Sequence, residues 1–357
     1  MSPFRTDAAA EWLRAGGPDG DVVVSSRVRL ARNFAGLPFP NKAKRIERVQ
    51  ILELAERHIL ACGVASEMAW VDLNALTPLD CAVLVERHLI SKQHSKGDLP
   101  RALAVSSPDE RLAIMVNEED HLRLQAMRSG LALTDAFCQV NDADDRLEAH
   151  TDFAYSPRFG YLTACPTNIG TGIRVSVMLH LPGLRLAGEL EKVRRAAKAM
   201  NLAVRGFYGE GSEAVGDFFQ ISNQSTLGKS ESQLLEDFEH NVIPRVIEYE
   251  RLARKTLSER KRILLEDQVH RAVGTLTHAR LLKTDEAMQA LSLARLGIVT
   301  GTIDEIELGR VNQLILLTQP AHLQKVFGRD MDQATRRSER ATLVRSYLSG
   351  EGDARLN

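Results

Sequence analysis

A change of texture after Gly228 limits the fold more than any other feature of this 357-residue chain. Upstream, short runs of alternating apolar and polar residues are broken by Gly, Pro, Asn, Thr and Ser, the pattern of strands and turns. Downstream the alternation stops. Leu235, Phe238, Val242, Val246 and Tyr249 recur at three- and four-residue spacing, Pro244 is the single proline between 231 and 272, and the helical pattern runs on to Leu348. The chain therefore divides near residue 250 into an α/β front and an all-α back. The expected segments are a lead at 1–21, a front unit at 22–252, a helical unit at 253–350 and a disordered tail at 351–357.

In the front, Val22–Val24 leads into the alternating Arg27, Val28, Arg29, Leu30, a strand that sets Arg27 and Arg29 on one face. Helical spacing covers 43–62. Thr77-Pro78-Leu79-Asp80 carries an N-cap, a proline at the first helical position and an acid in the first turn, opening a helix to about His88. Strands are expected at 101–106, 111–117, 121–127, 158–163, 172–181, 202–207 and 217–222, with helices at 131–148 and 188–200.

Lys plus Arg is 46 and Asp plus Glu 47, a net charge of -1, which argues against a polyanion-coating protein; the basic residues also lack interleaved aromatics for base stacking. No apolar run is long enough for a signal peptide or a membrane span. The four cysteines are widely spaced with no C-x-x-C pair, so the reading is a cytoplasmic chain with reduced thiols and no zinc site.

Three constellations carry chemistry. Arg27, Arg29, Arg32, Arg123, Arg174 and Arg205 stand where strands meet loops. Crowded guanidinium groups call for an anion, and a triphosphate matches their forked donors. There is no G-x-x-x-x-G-K-[ST] loop and no H-R-D kinase set. Asn117-Glu118-Glu119-Asp120-His121 brings three carboxylates together, which calls for a cation. Arg123 answers one, and a cationic substrate could answer another. Cys165-Pro166-Thr167-Asn168 sets a thiol in a polar loop ahead of Arg174, a setting that favours a thiolate. Gly206 to Glu213 is a glycine-rich loop carrying Glu210.

These segments, in this order, resemble the phosphagen (guanidino) kinase family: Ser25-Ser26-Arg27-Val28-Arg29, Asn117 to Arg123, Cys165 to Asn168, and Arg205-Gly206 leading to Glu210. Only 24 residues precede Ser25, Leu30-Ala31-Arg32-Asn33 replaces the usual Gly-Arg-Ser, and Arg174-Val175-Ser176-Val177-Met178 replaces R-A-S-V-H. These details are similar to the bacterial protein arginine kinase branch, as is the helical back. The resemblance implies an α+β fold, an antiparallel sheet flanked by helices followed by an all-α domain used in dimerisation. It implies ATP-dependent phosphorylation of protein arginines, with Mg²⁺ held by ATP and waters.

By this resemblance Glu119 is the general base and guanidinium clamp, Glu210 grips the other edge of the guanidinium, and Cys165 lies against it as a thiolate. Nucleotide contacts are expected from Ser25, Ser26, Arg27, Val28, Arg29, His88, Arg123, Arg174, Val175, Ser176, Val177, Met178, Arg205, Gly206, Phe207, Tyr208 and Gly209. Arg336, Arg340 and Ala341 fit a phosphoarginine-reading motif in which Arg337 replaces an aspartate, with Glu339 or Asp332 as substitute acids. The partners implied are protein substrates with exposed arginines, a zinc-binding activator protein, a Clp unfoldase, a repressor of heat-shock genes and a second copy of the chain; no membrane and no direct nucleic acid are implied. A kinase for a free small guanidine and a non-catalytic phosphoarginine-binding adaptor stay open beside this reading.

Overall fold

The computed structural model describes residues 10–207 and 215–350. The strands are β1 (Val23–Arg32), β2 (Met68–Asp72), β3 (Ala102–Ser106), β4 (Leu112–Val116), β5 (Leu122–Ser129), β6 (Tyr155–Ser156), β7 (Gly160–Tyr161), β8 (Ile173–His180), β9 (Leu202–Arg205) and β10 (Phe218–Asn223). Eight of them form one antiparallel sheet in the order β2-β3-β4-β5-β1-β8-β10-β9, and β6 and β7 form a separate hairpin. The front helices are α1 (Arg45–Ala61), α2 (Pro78–Glu86), α3 (Leu133–Glu148), α4 (Pro182–Leu186) and α5 (Leu190–Ala199). Then come α6 (Glu231–Glu236), α7 (Ile243–Arg260), α8 (Arg262–His278), α9 (Thr284–Val299), α10 (Leu308–Leu317), α11 (Pro320–Val326) and α12 (Gln333–Leu348). The expected architecture, an antiparallel sheet flanked by helices and followed by a helical region, is the one observed.

Local chemistry explains several boundaries. Pro78 occupies the first turn of α2, and the Thr77 hydroxyl accepts from the Asp80 amide at 3.1 Å, as the sequence predicts. The strand expected at 158–163 shrinks to the hairpin β6–β7, because Gly160 turns back at φ +75° and the chain then pairs with Gly170. The edge strand β2 and the single turn α4 lie outside the expected elements; Met-Ala-Trp-Val-Asp has no apolar alternation to announce a strand.

Residues of β1 alternate between two unlike faces. Val28 and Leu30 join Leu124, Ala126, Val175 and Val177 in a core covered by Ile51 and Ala55 of α1 and by Ala136 and Val140 of α3. The opposite face is divided. Leu103, Met115, Met127, Met178 and Phe218 pack with Leu276, Leu291, Leu314 and Val344, so the helical unit covers part of it. The remainder forms an open polar basin.

Buried polar links fasten the helical unit to the sheet. Glu86, at the end of α2, accepts from the Ala321 and His322 amides at 2.8 Å each and faces His322 Nδ1 at 2.7 Å, capping α11; Asp80 pairs with Lys325 at 2.6 Å. Arg295 donates to His180 Nδ1 at 2.7 Å, so the other ring nitrogen donates to Ser292 Oγ at 2.9 Å, and Ser292 donates to Asp217 at 3.0 Å.

Candidate active site

The register of β5, β1 and β8, with the edge strand β9, builds the basic wall. Arg29 lies opposite Arg174 on β8 and Gln125 on β5; Arg27 lies opposite Ser176 and Met127; Arg123 is paired with Ala31, and Arg205 with Gln220. Residues two apart share a face, so one strand delivers both Arg27 and Arg29 to the basin. Arg27, Arg29, Arg123, Arg174 and Arg205 all line one cavity of about 650 Å³. Burial, and then the guanidinium groups of Arg123, Arg174 and Arg205, push Arg27 down to about 10. Burial, and then Arg27, Arg123 and Arg174, hold Arg29 well below its ordinary value, with Glu118 opposing. The Arg29 Nε is buried without a hydrogen-bond partner, and Arg27 Nε reaches Ser176 Oγ at 3.4 Å. Such a cluster is held at a cost that a polyanion would relieve.

The acidic wall comes from the β4–β5 turn, where Asn117 takes φ +62°. Glu118 accepts from Arg123 at 2.9 Å, from the Glu119 amide at 2.8 Å and from Ser91 Oγ at 2.8 Å. Burial works against its charge, but Arg123 and these donors bring its carboxyl below the usual range. Glu119 takes the other fork of Arg123 at 3.0 Å and keeps 40% of its side chain exposed to the cavity. Burial, helped by Glu118 and Asp120 and opposed by Arg123, raises Glu119. The two neighbours therefore differ in kind: Glu118 anchors Arg123, and Glu119 is placed to receive a cation.

The thiol wall is set by a buried scaffold. Asp120 Oδ1 accepts from Asn33 and from the Ala164 amide at 2.7 Å each, tying the acidic turn to the loop that bears Cys165. The Asn33 Oδ1 accepts from the His121 amide at 2.8 Å. His121 Nδ1 accepts from the Phe34 amide at 3.0 Å, so Nε2 donates to Pro38 O at 2.9 Å; burial pushes its ring down to about 4. Cys165 lines the cavity with its Sγ 3.1 Å from Thr167 Oγ1.

The other expected contacts divide. His88 lines the cavity, at φ +59°, with Trp12 4.8 Å and Phe207 5.2 Å away ring to ring; burial, then Arg27, pushes it down to about 3, so it is neutral. Ser25, Ser176 and Met178 line a narrow recess that shares Arg27 and His88 with the cavity. Ser26, Val28, Val175 and Val177 do not present side chains to it. Ser26 donates to Gly130 O at 2.8 Å, and the three valines are in the core. Gly206 follows β9, and Phe207 is buried against Phe218. Tyr208, Gly209 and Glu210 lie outside the described residues, as does the tail 351–357.

Arg32 corrects the arginine set. It sits three residues from Arg29, on the opposite face, where Asp144 accepts from its Nε at 3.0 Å and its Nη2 at 2.6 Å and its guanidinium lies 3.5 Å from the Tyr161 ring centre. In the helical unit Arg340 is buried and donates to Thr318 O at 2.7 Å, Leu282 O at 3.0 Å and Arg336 O at 3.3 Å. Arg336 donates to Met331 O at 2.6 Å, and Ala341 is buried. The two substitute acids are engaged: Glu339 pairs with Arg329 at 2.5 Å, and Asp332 caps α12 through the Thr335 amide at 2.7 Å.

Sequence reasoning assigned no role to Glu118, Asn33 or Asp120. The acidic doublet and triplet were visible, but which member turns inward depends on Ser91 and Asn33, which are distant in sequence. Among the described residues no group of three or more His, Cys, Asp or Glu could hold a metal ion, and no helix is long and apolar enough to cross a membrane.

Comparison with known proteins gives the family. Residues 51–253 match the family model of the ATP:guanido phosphotransferase, C-terminal catalytic domain, and residues 262–355 that of the protein-arginine kinase McsB C-terminal domain. The chain is 44% identical over 345 residues to the protein-arginine kinase of Symbiobacterium thermophilum, covering 96% of this chain and 97% of that one. It is 42% identical to the protein-arginine kinase of Bacillus cereus, covering 98% and 99%. Among solved structures, the duplicated taurocyamine kinase of Schistosoma mansoni with bound transition state analog components aligns with a TM-score of 0.60 and 25% identity over 68% of this chain and 36% of that one. A lombricine kinase crystal structure aligns with a TM-score of 0.55 and 25% identity over 70% and 72%. With the basic, acidic and thiol walls converging on one cavity, and relatives matched along nearly their whole length, the chain belongs to the protein-arginine kinase family of guanidino phosphotransferases.

Proposed function

We propose that this chain transfers the γ-phosphoryl group of ATP to the side-chain guanidinium of arginines in polypeptides. One observation carries the reading: five arginines line one cavity together and face the partly exposed carboxylate of Glu119 and the thiol of Cys165. The first wall suits a triphosphate, and the second a planar cation.

Free guanidinium is protonated, with a pKa of about 12.5–13.8, and is a poor nucleophile. Glu119 holds it and accepts one proton as a guanidinium nitrogen attacks the γ-phosphorus. The new N–P bond forms as the bond from phosphorus to the ADP oxygen breaks. Arg27, Arg29, Arg123, Arg174 and Arg205 hold the phosphate oxygens throughout. Cys165 lies against the guanidinium from the side, and Glu210 takes its other edge. Glu118 fixes Arg123 so that Glu119 can exchange Arg123 for the substrate. A Mg²⁺ ion bound through ATP and water would neutralise phosphate charge.

Marking of proteins for Clp-type proteolysis, control of a heat-shock repressor, a zinc-binding activator, dimerisation and a cytoplasmic setting belong to the same proposal. Phosphoarginine sensing through Arg336 and Arg340 also belongs to it. In that reading free phosphoarginine changes the rate, and Arg337→Asp strengthens the response. To test the reaction itself, the chain is incubated with ATP and either free arginine or an unfolded protein. The proposal expects rapid transfer to the protein and little to the free amino acid. Transfer to free arginine alone would replace it with the small-guanidine reading.

A further inference from the structure

Trp12 belongs to none of the three walls, yet it is buried and lines the narrow recess that shares Arg27 and His88 with the cavity. It sits in a single 3₁₀ turn, Glu11–Leu13, ahead of β1. The turn is fastened on both sides of the indole. Glu11 pairs with Arg111 at 3.3 Å, and the Leu13 carbonyl accepts from Asn312 Nδ2 of α10 at 3.1 Å. The backbone therefore delivers the ring to one place, between the sheet and the helical unit.

The neighbour it meets there is His88. Their ring centres are 4.8 Å apart and the planes stand at 84°, an edge-to-face contact. Trp12 Nε1 also donates to the Arg87 carbonyl at 3.2 Å. At the next peptide, Gln125 Nε2 donates to the His88 carbonyl at 2.9 Å. The carbonyls before and after His88 are thus gripped from two elements, and His88 between them takes φ +59°. That backbone conformation is unfavourable for a side chain with a Cβ and persists only where its surroundings enforce it. Phe207, 5.2 Å from His88 and 6.0 Å from Trp12, closes the group, with Phe218 at 5.6 Å as its further support. Loss of the indole therefore falls first on His88.

We propose that Trp12 is a positioning residue for the nucleotide: it fixes His88 and the recess beside Arg27, so that ATP affinity depends on an indole acting through His88. The inference rests on the ATP reading above. A tryptophan that served folding alone would change the amount of folded enzyme, which lowers the rate and leaves KM as it was.

The test compares the full chain with Trp12→Ala and Trp12→Phe in phosphoryl transfer to an unfolded protein. For Trp12→Ala, KM for ATP should rise about tenfold, the scale of one aromatic contact with one hydrogen bond. Its kcat and its KM for the protein substrate should be kept, the signature of lost binding alone. Trp12→Phe keeps a ring against His88 but lacks the N–H, and should raise KM for ATP about threefold. An unchanged KM for ATP in Trp12→Ala, or an equal rise in both KM values, would overturn the proposal. A second measurement does not need the alanine variant to fold. Trp70, the other tryptophan of the chain, packs against the core on the opposite face of the sheet, so Trp70→Phe leaves Trp12 as the sole indole. Its emission should then change saturably with ATP, with its midpoint at the Kd read by calorimetry. ATP bound by calorimetry with no change in emission would overturn the positioning role. A chain that binds no ATP by calorimetry would instead bring down the nucleotide reading itself, a separate result.

Discussion

Arg29 and Arg32 stand three residues apart on one strand and have opposite fates. Arg32 is buried against Asp144, two backbone carbonyls and the Tyr161 ring, so its charge is satisfied within the fold. Arg29 points to the other face, where Arg27, Arg123 and Arg174 are its neighbours and its Nε has no acceptor. The same residue type therefore serves structure on one side of the sheet and ligand binding on the other. Surroundings decide between these two: Arg32 is enclosed by an acid and carbonyls and supports the fold, whereas Arg29 stands among other guanidinium groups at the cavity.

The comparison breaks first if the crowded set proves structural. Arg29→Ala is expected to lower phosphoryl transfer by about 10³-fold or more, the scale of an arginine that stabilises the transferring group. Its thermal unfolding midpoint should stay or rise, because like-charge crowding is relieved. Loss of stability with full activity would reverse the assignment. Asp144→Ala should do the opposite, lowering unfolding stability by about 3–5 kcal/mol because a buried guanidinium loses its partner. In denaturant titrations the folded fraction should keep its KM for ATP; a stability change near zero would mean that Arg32 finds another acceptor.

ATP itself sharpens the contrast. At a hundredfold excess over Kd it should stabilise the parent chain by about 2.7 kcal/mol, read as a shift in melting temperature. The shift should be largely lost in Arg29→Ala, and a full shift there would place the triphosphate elsewhere. The smallest effect concerns pH. Glu119 must be ionised to accept a proton, and burial with Glu118 and Asp120 raises its pKa. As pH falls through that raised value the base is lost, so the acid limb of kcat/KM should lie above the ordinary glutamate value of about 4.3. A limb at or below it would argue against Glu119 as the base.

Much of this was legible in the sequence, for local reasons. Period-two alternation in Arg27-Val28-Arg29-Leu30 fixed the face of both arginines, and Thr77-Pro78 marked the start of α2. The same alternation places Arg32 opposite Arg29, although the sequence reading grouped them by type and strand position. What local pattern cannot carry is partner choice. Asp144 is 112 residues from Arg32, and His322 is 236 from Glu86. The buried role of Glu118 depends on Ser91, 27 residues before it. The edge strand β2 escaped because both its faces are half-buried, so no alternation is imposed on its residues.

The central claim is that the arginines lining the cavity hold ATP while Glu119 prepares an arginine to receive its phosphoryl group. The most direct test is mass spectrometry, under non-acidic conditions, of an unfolded protein treated with ATP and the parent chain, Arg29→Ala or Glu119→Gln. Phosphate on arginine nitrogens with the parent, and almost none with either variant while both remain folded, is the predicted result. Phosphate on hydroxyl side chains, or undiminished arginine phosphorylation by both variants, would contradict it.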